Sequence, residues 1–279
     1  MAAGGTARLS KSGPGAAAGA IEVVIFDWAG TLVDFGSCAP VEAMRAAFAA
    51  FGIDVPDPII RQHMGLAKRD HVARILAAAP VSRAWSERHG APDDAAVNAL
   101  YAAYLARQSD VIAAFSQPIP GVADALAALA RRGIRIGSTT GYPRAIIAPL
   151  AERARSAGIA PEVVVACDEV PRPRPGPGQA LAVALALGAS DVRRCVKVDD
   201  APAGIAEGLA AGMRVVGIAA TGNGIGLPQA AFAALPPSER AARIVAAERE
   251  LAAAGAHGVI ASVAELPSLL DSLPGSAGA

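Results

Sequence analysis

Cysteine and lysine are both scarce in this sequence of 279 residues, and long apolar runs are missing. The three cysteines, Cys38, Cys167 and Cys195, are odd in number and scattered, which gives neither a disulfide framework nor a zinc-binding pattern. This cysteine usage predicts a reducing, cytoplasmic location. Lys+Arg and Asp+Glu both total 25, and this balance gives no reason to expect nucleic acid or an anionic membrane as a partner.

No apolar run approaches the ~18 residues that a membrane-spanning helix needs. Residues 1–20 are small, rich in glycine and without the apolar segment of a signal peptide, and we interpret them as a disordered tail. The only lysines are Lys11, Lys68 and Lys197, while the other basic residues are arginine. Because arginine supplies positive charge elsewhere, a lysine is a candidate for a task that arginine cannot perform.

Strand-like and helical segments alternate along most of the chain. Ile21 to Phe26 predicts a short buried strand, and residues 40–115 are mostly helical in their apolar spacing. After the break "QPIPG", helices alternate with the strands "IRIGSTTG", "EVVVACDEV", "RCVKVDDAP" and "RVVGIAA". This alternation predicts an α/β fold: a Rossmann-like parallel sheet core (21–39 and 116–279) with an inserted helical cap domain (40–115).

Polar residues follow three of the predicted strands. The first strand ends in Asp27, the second in "STTGY" and a later one in Asp199 and Asp200. Ligands of an open parallel sheet bind beyond the carboxyl ends of its strands, so these residues are expected to form one site. Carboxylates, hydroxyls and backbone amides together suit a hard divalent cation and a phosphoryl group.

The motifs "DWAGT", "GSTTG", a basic residue and an acidic pair resemble those of the haloacid dehalogenase-type phosphatases. Within that superfamily, residues 21–270 resemble the phosphonoacetaldehyde hydrolase family. The distinguishing features are Ala29 in place of the usual second aspartate of the first motif, and Lys68 in "MGLAKRDH". The resemblance implies hydrolysis of the carbon–phosphorus bond of phosphonoacetaldehyde, in the degradation of 2-aminoethylphosphonate.

The two distinguishing residues make one chemical exchange. A phosphatase uses the second aspartate to protonate an alkoxide leaving group, but a carbanion is a far worse leaving group. An amine that condenses with the substrate aldehyde gives a protonated imine, which accepts the electrons of the broken carbon–phosphorus bond. Losing the acid at Ala29 and gaining Lys68 therefore fits this reaction better than an ordinary phosphatase.

The resemblance implies a role for each site residue. Asp27 is the nucleophile that becomes an aspartyl phosphate, Lys68 forms the Schiff base and His71 shuttles protons at the imine. Mg²⁺ is held by Asp27, the backbone carbonyl of Ala29 and Asp200. The phosphonate is held by Thr140, Gly141 and Arg174, while Met64 and Tyr142 shape the site near the lysine. The resemblance also implies a homodimer formed through the cap.

The fourth motif departs from the family pattern. "VDDAPAG" has Asp199 where glycine is usual, Ala201 where threonine is usual and Gly204 where a later aspartate is usual. The metal site thus loses a carboxylate and a hydroxyl, and whether Asp199 supplies the missing charge stays open. Fewer carboxylates hold a hard cation less tightly, so we expect weaker Mg²⁺ binding and expect Gly204→Asp to strengthen it. Near the start of the cap, Ser37 stands where a cysteine is common, with Cys38 beside it; this change touches only the site lining.

Several alternatives remain open. The chain could be a phosphomonoesterase of the same superfamily, or a degenerate, non-catalytic binding protein. Taken alone, Asp27 could cap a turn, and Lys68 and His71 could be ordinary surface residues of a helix. For Lys197, which precedes the acidic pair within an apolar strand, we favour a structural pairing with a nearby carboxylate.

Overall fold

A six-stranded parallel sheet lies at the centre of the computed structural model, which describes residues 20–272. The strands lie side by side in the order β3-β2-β1-β4-β5-β6, and each neighbouring pair is parallel. They are β1 (Val23–Phe26), β2 (Arg135–Thr139), β3 (Val163–Val165), β4 (Cys195–Asp199), β5 (Arg214–Ile218) and β6 (Gly258–Ile260). The predicted α/β fold is therefore confirmed. Except for Ala20, the predicted tail at residues 1–20 lies outside the described residues.

Alternate side chains of the central strand face two layers of helices. Val24 and Phe26 of β1 belong to one apolar cluster, and Val23 and Ile25 belong to another on the opposite face. All four are buried, as expected for a strand that helices cover on both sides. The first face carries α6 (Val122–Arg131), α7 (Arg144–Arg155) and α12 (Leu266–Asp271); the second carries α8 (Gly178–Ala186), α9 (Pro202–Ala210) and α11 (Pro237–Ala253).

Five helices follow one another between β1 and α6. They are α1 (Ala39–Ala49), α2 (Asp57–Arg61), α3 (Lys68–Ala77), α4 (Ala79–His89) and α5 (Asp94–Phe115), and we call them the helical cap. The helical cap has an apolar cluster of its own, in which the buried Phe48, Ile75, Leu100 and Tyr104 pack together. Because Met64 and Ala201 both belong to this cluster, it also touches the sheet domain beside the polar strand ends.

The sequence patterns miss several elements and misplace some boundaries. β1 begins at Val23 rather than Ile21, and no element is predicted beyond "RVVGIAA", where β6, α10 (Gln229–Ala234), α11 and α12 occur. The helices α2 and α4 lie within residues 40–115, which the sequence predicts as mostly helical, but their separate bounds are not predicted. β6, with three residues, and α2, with five, are too short for their periodicity to be recognised, whereas shortness does not explain why α11, with 17 residues, is missed. Short 3₁₀ helices at Cys167–Glu169, Val192–Arg194 and Val263–Glu265 complete the regular structure of the described residues.

The described residues 20–272 include no helix with the length and apolar character needed to cross a membrane.

Candidate active site

The three polar strand ends lie beside one another at one edge of the sheet. β1 is followed by Asp27, β2 by Thr140, and β4 ends in Asp199 with Asp200 next. Because β1 lies between β2 and β4 in the sheet, these residues converge as the sequence predicts.

A cavity between this edge and the helical cap contains most of the predicted site residues. Its lining comprises Asp27, Ala29, Ser37, Pro40, Met64, Gly65, Lys68, Thr140, Gly141, Tyr142, Asp200 and Ala201. Two predicted residues, Arg174 and His71, are buried but are not part of this lining. The structure therefore brings Asp27, Asp200 and Lys68 to one cavity. Arg174 reaches this cavity through its hydrogen bond to Asp27.

The glycine and the threonine of "DWAGT" both serve Asp200. A side chain on Gly30 would begin 2.2 Å from the Asp200 Oδ2 atom, and Gly30 has a φ of +85°, which favours glycine. The Thr31 hydroxyl donates a hydrogen bond of 3.1 Å to Asp200 Oδ1. The Trp28 indole N–H donates to the Ser138 hydroxyl at 3.0 Å, which ties this loop to β2. The motif therefore holds Asp200 in position through Gly30 and Thr31, in addition to supplying Asp27.

Three buried carboxylates face one another at the sheet edge. Asp27, Asp199 and Asp200 each offer an oxygen atom, and these atoms lie within 4.8 Å of one another. Burial, and then the negative charge of Asp199, raises the pKa of Asp27 to about 6. Burial and the charges of Asp27 and Asp199 raise the pKa of Asp200 well above its ordinary value. Such crowding of hard oxygen donors is relieved by a bound divalent cation, so the residues fit Mg²⁺.

Arg174 is the centre of a buried hydrogen-bond network next to Asp27. Its Nη1 donates to Asp27 Oδ1 at 2.7 Å, its Nη2 to the Thr139 hydroxyl at 2.7 Å and its Nε to Glu207 Oε2 at 2.8 Å. Burial alone would lower the pKa of Arg174, but the carboxylates of Asp199, Glu207 and Asp27 raise it above its ordinary value. Arg174 is therefore a permanent cation that orients the Asp27 carboxylate.

Sequence reasoning misses two members of this network. Glu207 is fully buried in α9, where its Oε2 also accepts a hydrogen bond of 3.0 Å from the Thr139 hydroxyl. The signal that could have identified Glu207 is its position as the only charged residue in the apolar helix "PAGIAEGLA". Thr139 lies within the quoted "GSTTG", but its neighbour Thr140 is the one that lines the cavity.

Lys68 enters the cavity from the first turn of α3. Its side chain is buried, and the ammonium lies 5.2 Å from the centre of the Tyr142 ring. Burial lowers the pKa of Lys68 to about 8, although the negative charge of Asp27 opposes this shift. Within the described part of the chain, no carboxylate forms an ion pair with Lys68. A buried lysine without a paired carboxylate has a readily available neutral amine.

His71 lies one turn further along α3 and is fully buried. Its Nε2 lies 2.6 Å from the carbonyl oxygen of Ile60, which only accepts, so Nε2 carries the proton and donates. Its Nδ1 is buried and has no hydrogen-bond partner within residues 20–272. Burial, and then the positive charge of Lys68, lowers the pKa of His71 to about 3. His71 is thus neutral, and only its Nδ1 can take part in proton transfer.

Thr140 and Gly141, in the loop after β2, both make close contacts with the backbone. A side chain on Gly141 would begin 2.4 Å from the carbonyl oxygen of Leu66 in the helical cap. The Thr140 hydroxyl accepts a hydrogen bond of 3.1 Å from the Tyr142 N–H, and Gln179 donates to the Thr140 carbonyl at 2.9 Å. The absence of a side chain at Gly141 therefore lets the helical cap approach the strand end.

Two charged residues that sequence reasoning leaves without a role connect the helical cap to the sheet. Asp34, the second aspartate of "VVIFDWAGTLVD", accepts hydrogen bonds from the N–H groups of Cys38 (3.0 Å) and Ala39 (2.9 Å), where α1 begins. Arg61 of α2 donates to the carbonyl of Gly36 at 3.0 Å and to the Asn223 side chain at 3.1 Å. These contacts fix the position of the helical cap above the sheet edge.

Lys197 has the structural pairing that the sequence favours. Its Nζ donates to Asp199 Oδ2 at 2.7 Å, and both side chains are fully buried. At the altered position near the start of the cap, Ser37 lines the cavity and Cys38 does not.

Comparison with known proteins places this arrangement among related chains. Residues 21–212 match the haloacid dehalogenase-like hydrolases. The chain is 43% identical over 251 residues to the phosphonoacetaldehyde hydrolase of Bordetella pertussis, covering 90% of this chain and 91% of that protein. It is 42% identical over 247 residues to the phosphonoacetaldehyde hydrolase of Paraburkholderia xenovorans, with 88% and 92% of the two chains covered.

A solved structure agrees with these relatives. The crystal structure of a phosphonoacetaldehyde hydrolase-like protein from Oleispira antarctica superposes with a TM-score of 0.91 at 37% sequence identity. The match covers 97% of this chain and 99% of that one, so it includes both the sheet and the helical cap.

Proposed function

Because this chain belongs to the haloacid dehalogenase-like hydrolases and, within them, to the phosphonoacetaldehyde hydrolase family, we propose that it converts phosphonoacetaldehyde and water to acetaldehyde and phosphate. The observation that carries this proposal is the presence of Lys68 and Asp27 in one cavity, next to Ala29. The cavity thus pairs an amine with a carboxylate and has no acid at position 29.

The metal site is proposed from the donors at the sheet edge. Asp27, Asp200 and the backbone carbonyl of Ala29 would hold Mg²⁺, and the three crowded carboxylates support this assignment. When bound, Mg²⁺ would offset the negative charges of the carboxylates and of the phosphonate. Thr140 and Gly141, which line the same cavity, would bind phosphonate oxygens.

The first covalent step is assigned to Lys68. Its neutral amine attacks the aldehyde carbon, a nitrogen–carbon bond forms, and loss of water leaves a protonated imine. The lowered pKa of Lys68 supports this role because the ammonium form has no free electron pair. Nδ1 of His71 is the buried acceptor proposed to take up and return a proton during formation of the imine.

The second covalent step is assigned to Asp27. Its carboxylate attacks phosphorus while the carbon–phosphorus bond breaks, and the electron pair of that bond moves into the imine to give an enamine. Arg174 supports this step by holding Asp27 through a hydrogen bond of 2.7 Å. Protonation and hydrolysis of the enamine release acetaldehyde and free Lys68, and water cleaves the aspartyl phosphate to phosphate.

Pathway, location and assembly are parts of the same proposal. The substrate class implies the degradation of 2-aminoethylphosphonate, and the three free cysteines support a reducing, cytoplasmic location. The homodimer through the cap follows from the family resemblance. Size-exclusion chromatography with light scattering tests it, because a mass of one chain at working concentration would contradict it.

The proposed function is tested by phosphate release from phosphonoacetaldehyde with and without Mg²⁺. We expect Mg²⁺-dependent release, together with inactivation by borohydride in the presence of acetaldehyde. With three lysines in the sequence, mass spectrometry can assign the resulting ethyl adduct, which we expect on Lys68. Release of phosphate from p-nitrophenyl phosphate but not from phosphonoacetaldehyde would favour a phosphomonoesterase, and no release from either would favour a non-catalytic protein.

A further inference from the structure

The altered fourth motif has a direct counterpart in the packing of β4 against α9. A side chain on Gly204 would begin 1.8 Å from Oδ2 and 2.0 Å from Cγ of Asp199. Real side chains essentially never approach within 3.0 Å in this way. The carboxylate of Asp199 therefore fills the space in which any side chain at position 204 would begin.

In that position the Asp199 carboxylate has partners on every side. Its Oδ2 accepts a hydrogen bond of 2.7 Å from Lys197 Nζ and lies 3.3 Å from Nη1 of Arg174. Its Oδ1 accepts from the N–H of Ala201 at 3.1 Å. The same Nη1 of Arg174 donates to Asp27, so Asp199 reaches the proposed nucleophile through one guanidinium nitrogen.

We propose that Asp199 is a positioning residue that provides, from β4, the carboxylate that related motifs carry on α9 at the position of Gly204. Asp199 orients Arg174 towards Asp27, and its negative charge adds to the field of the metal site. Lys197 is the cation that makes this buried carboxylate tolerable. The identity of the metal and of the reaction rests on the proposed function, whereas the exchange between positions 199 and 204 does not.

This exchange predicts that Gly204→Asp alone does not strengthen Mg²⁺ binding, contrary to the expectation from the sequence. An aspartate at position 204 would overlap the Asp199 carboxylate and would bring a further negative charge beside it. Positions 199 and 204 must change together, because the space between them holds only one carboxylate.

The experiment is a double-mutant cycle on metal-free protein, with Mg²⁺ binding measured separately by calorimetry. We expect Gly204→Asp to lower the Tm of the metal-free protein by roughly 5 °C or more, and Asp199→Gly to weaken Mg²⁺ binding about tenfold or more. The double variant Asp199→Gly/Gly204→Asp is expected to recover most of both losses. A double variant that shows only the sum of the two single losses would overturn the proposal.

Two control variants distinguish the effect of the steric clash at position 204 from the effect of the Asp199 charge. Asp199→Gly/Gly204→Ala restores the packing but not the carboxylate, so its Tm should exceed that of Gly204→Ala while its Mg²⁺ binding stays weak. Gly208→Ala also introduces a clash in α9, 2.7 Å from Cβ of Lys197, and Asp199→Gly should not rescue it. Native Mg²⁺ affinity in Asp199→Gly/Gly204→Ala, or rescue of Gly208→Ala, would contradict the inference.

If Asp199→Gly does not fold, Asp199→Asn serves in its place, since it removes the charge and keeps the volume. It should weaken Mg²⁺ binding and should leave Gly204→Asp unrescued; unchanged affinity would overturn the proposed role. Absence of phosphonoacetaldehyde hydrolysis in the native protein would refute the proposed function. The Tm and Mg²⁺ measurements would still decide the exchange between the two positions.

Discussion

Arg174, beside the sheet edge, and Lys68, in the helical cap, are both buried cations of the same site, and the two differ in state. Arg174 has exposure of 2% and donates to Asp27, Thr139 and Glu207. The carboxylates of Asp199, Glu207 and Asp27 keep its pKa above the ordinary value. Lys68 has exposure of 3%, lies against the Tyr142 ring, and has a pKa lowered to about 8. Equal burial thus gives opposite results, because the number of paired carboxylates differs.

This contrast matches what each position must do. A guanidinium stays protonated at any pH at which the protein is folded, so Arg174 keeps its hydrogen bond to Asp27 across that range, as its proposed role requires. A lysine amine can lose its proton, and a site without a paired carboxylate favours that loss. The sheet edge therefore provides fixed charge, and the helical cap provides an amine whose charge is suppressed, as the roles proposed for Arg174 and Lys68 require.

The largest expected effect comes from making the two cations alike. Lys68→Arg keeps the positive charge but forms no imine, so kcat/KM for phosphonoacetaldehyde should fall by more than about 10⁴-fold. Borohydride with acetaldehyde should then leave no adduct, and circular dichroism is the control for folding. An active Lys68→Arg enzyme, or an adduct on Lys197, would remove the basis for the proposed role of Lys68.

Removing the nucleophile should separate the two halves of the site. Asp27→Asn replaces the carboxylate by an amide that cannot attack phosphorus, so turnover should fall by more than about a hundredfold. Imine trapping at Lys68 should survive, because the amine remains buried in the helical cap. Mass spectrometry after borohydride treatment measures this, and turnover above about a hundredth of the native value would refute the role of Asp27.

Loosening Arg174 should give an intermediate effect. Glu207→Gln keeps the side-chain volume but removes the charge that anchors Nε of Arg174, and kcat should fall by about tenfold to a hundredfold. Imine trapping at Lys68 should be unaffected, which distinguishes misplacement of Arg174 and Asp27 from general damage. A variant with native kcat would show that Thr139 and Asp199 suffice to hold the guanidinium.

The smallest effect concerns pH and tests the cap side alone. With a Lys68 pKa of about 8, the neutral fraction rises about fivefold between pH 7 and pH 8, and the initial rate of borohydride trapping should rise with it. In Asp27→Asn the pH profile of trapping should shift to lower pH, because the negative charge of Asp27, which raises the pKa of Lys68, is gone. A rate that is constant across this range would contradict a titrating Lys68.

The same shift has a consequence for stability. The ordinary pKa of lysine is 10.5, so between about pH 8 and 10.5 the unfolded chain binds a proton at Lys68 that the folded chain does not. The Lys68 contribution to the free energy of unfolding should therefore rise with pH across that window and be absent in Lys68→Met. Denaturant titrations of the two proteins at pH 8 and pH 10 measure the difference, and an equal response in both would contradict it.

What the sequence determined by itself is local or periodic. Strands alternating with helices fix a parallel sheet, and a parallel sheet brings the ends "DWAGT", "STTGY" and "VDD" to one edge. The apolar spacing of residues 40–115 indicates helices, and the resemblance of "MGLAKRDH" to the family motif marks Lys68 within them. The strand and helix assignments need only neighbouring residues, because backbone periodicity is a short-range property.

Only the tertiary structure decided which groups touch. Arg174 reaches Asp27 across 147 residues of chain and Glu207 across 33, and no periodic pattern encodes such pairs. Packing likewise directs Nε2 of His71 to the Ile60 carbonyl, and it seats the Asp199 carboxylate over Gly204. Whether a hydrogen bond or close contact forms depends on differences of a few tenths of an ångström in the distance between segments remote in sequence. The residue types therefore indicate the chemistry, and the packing of the chain assigns each residue its partner.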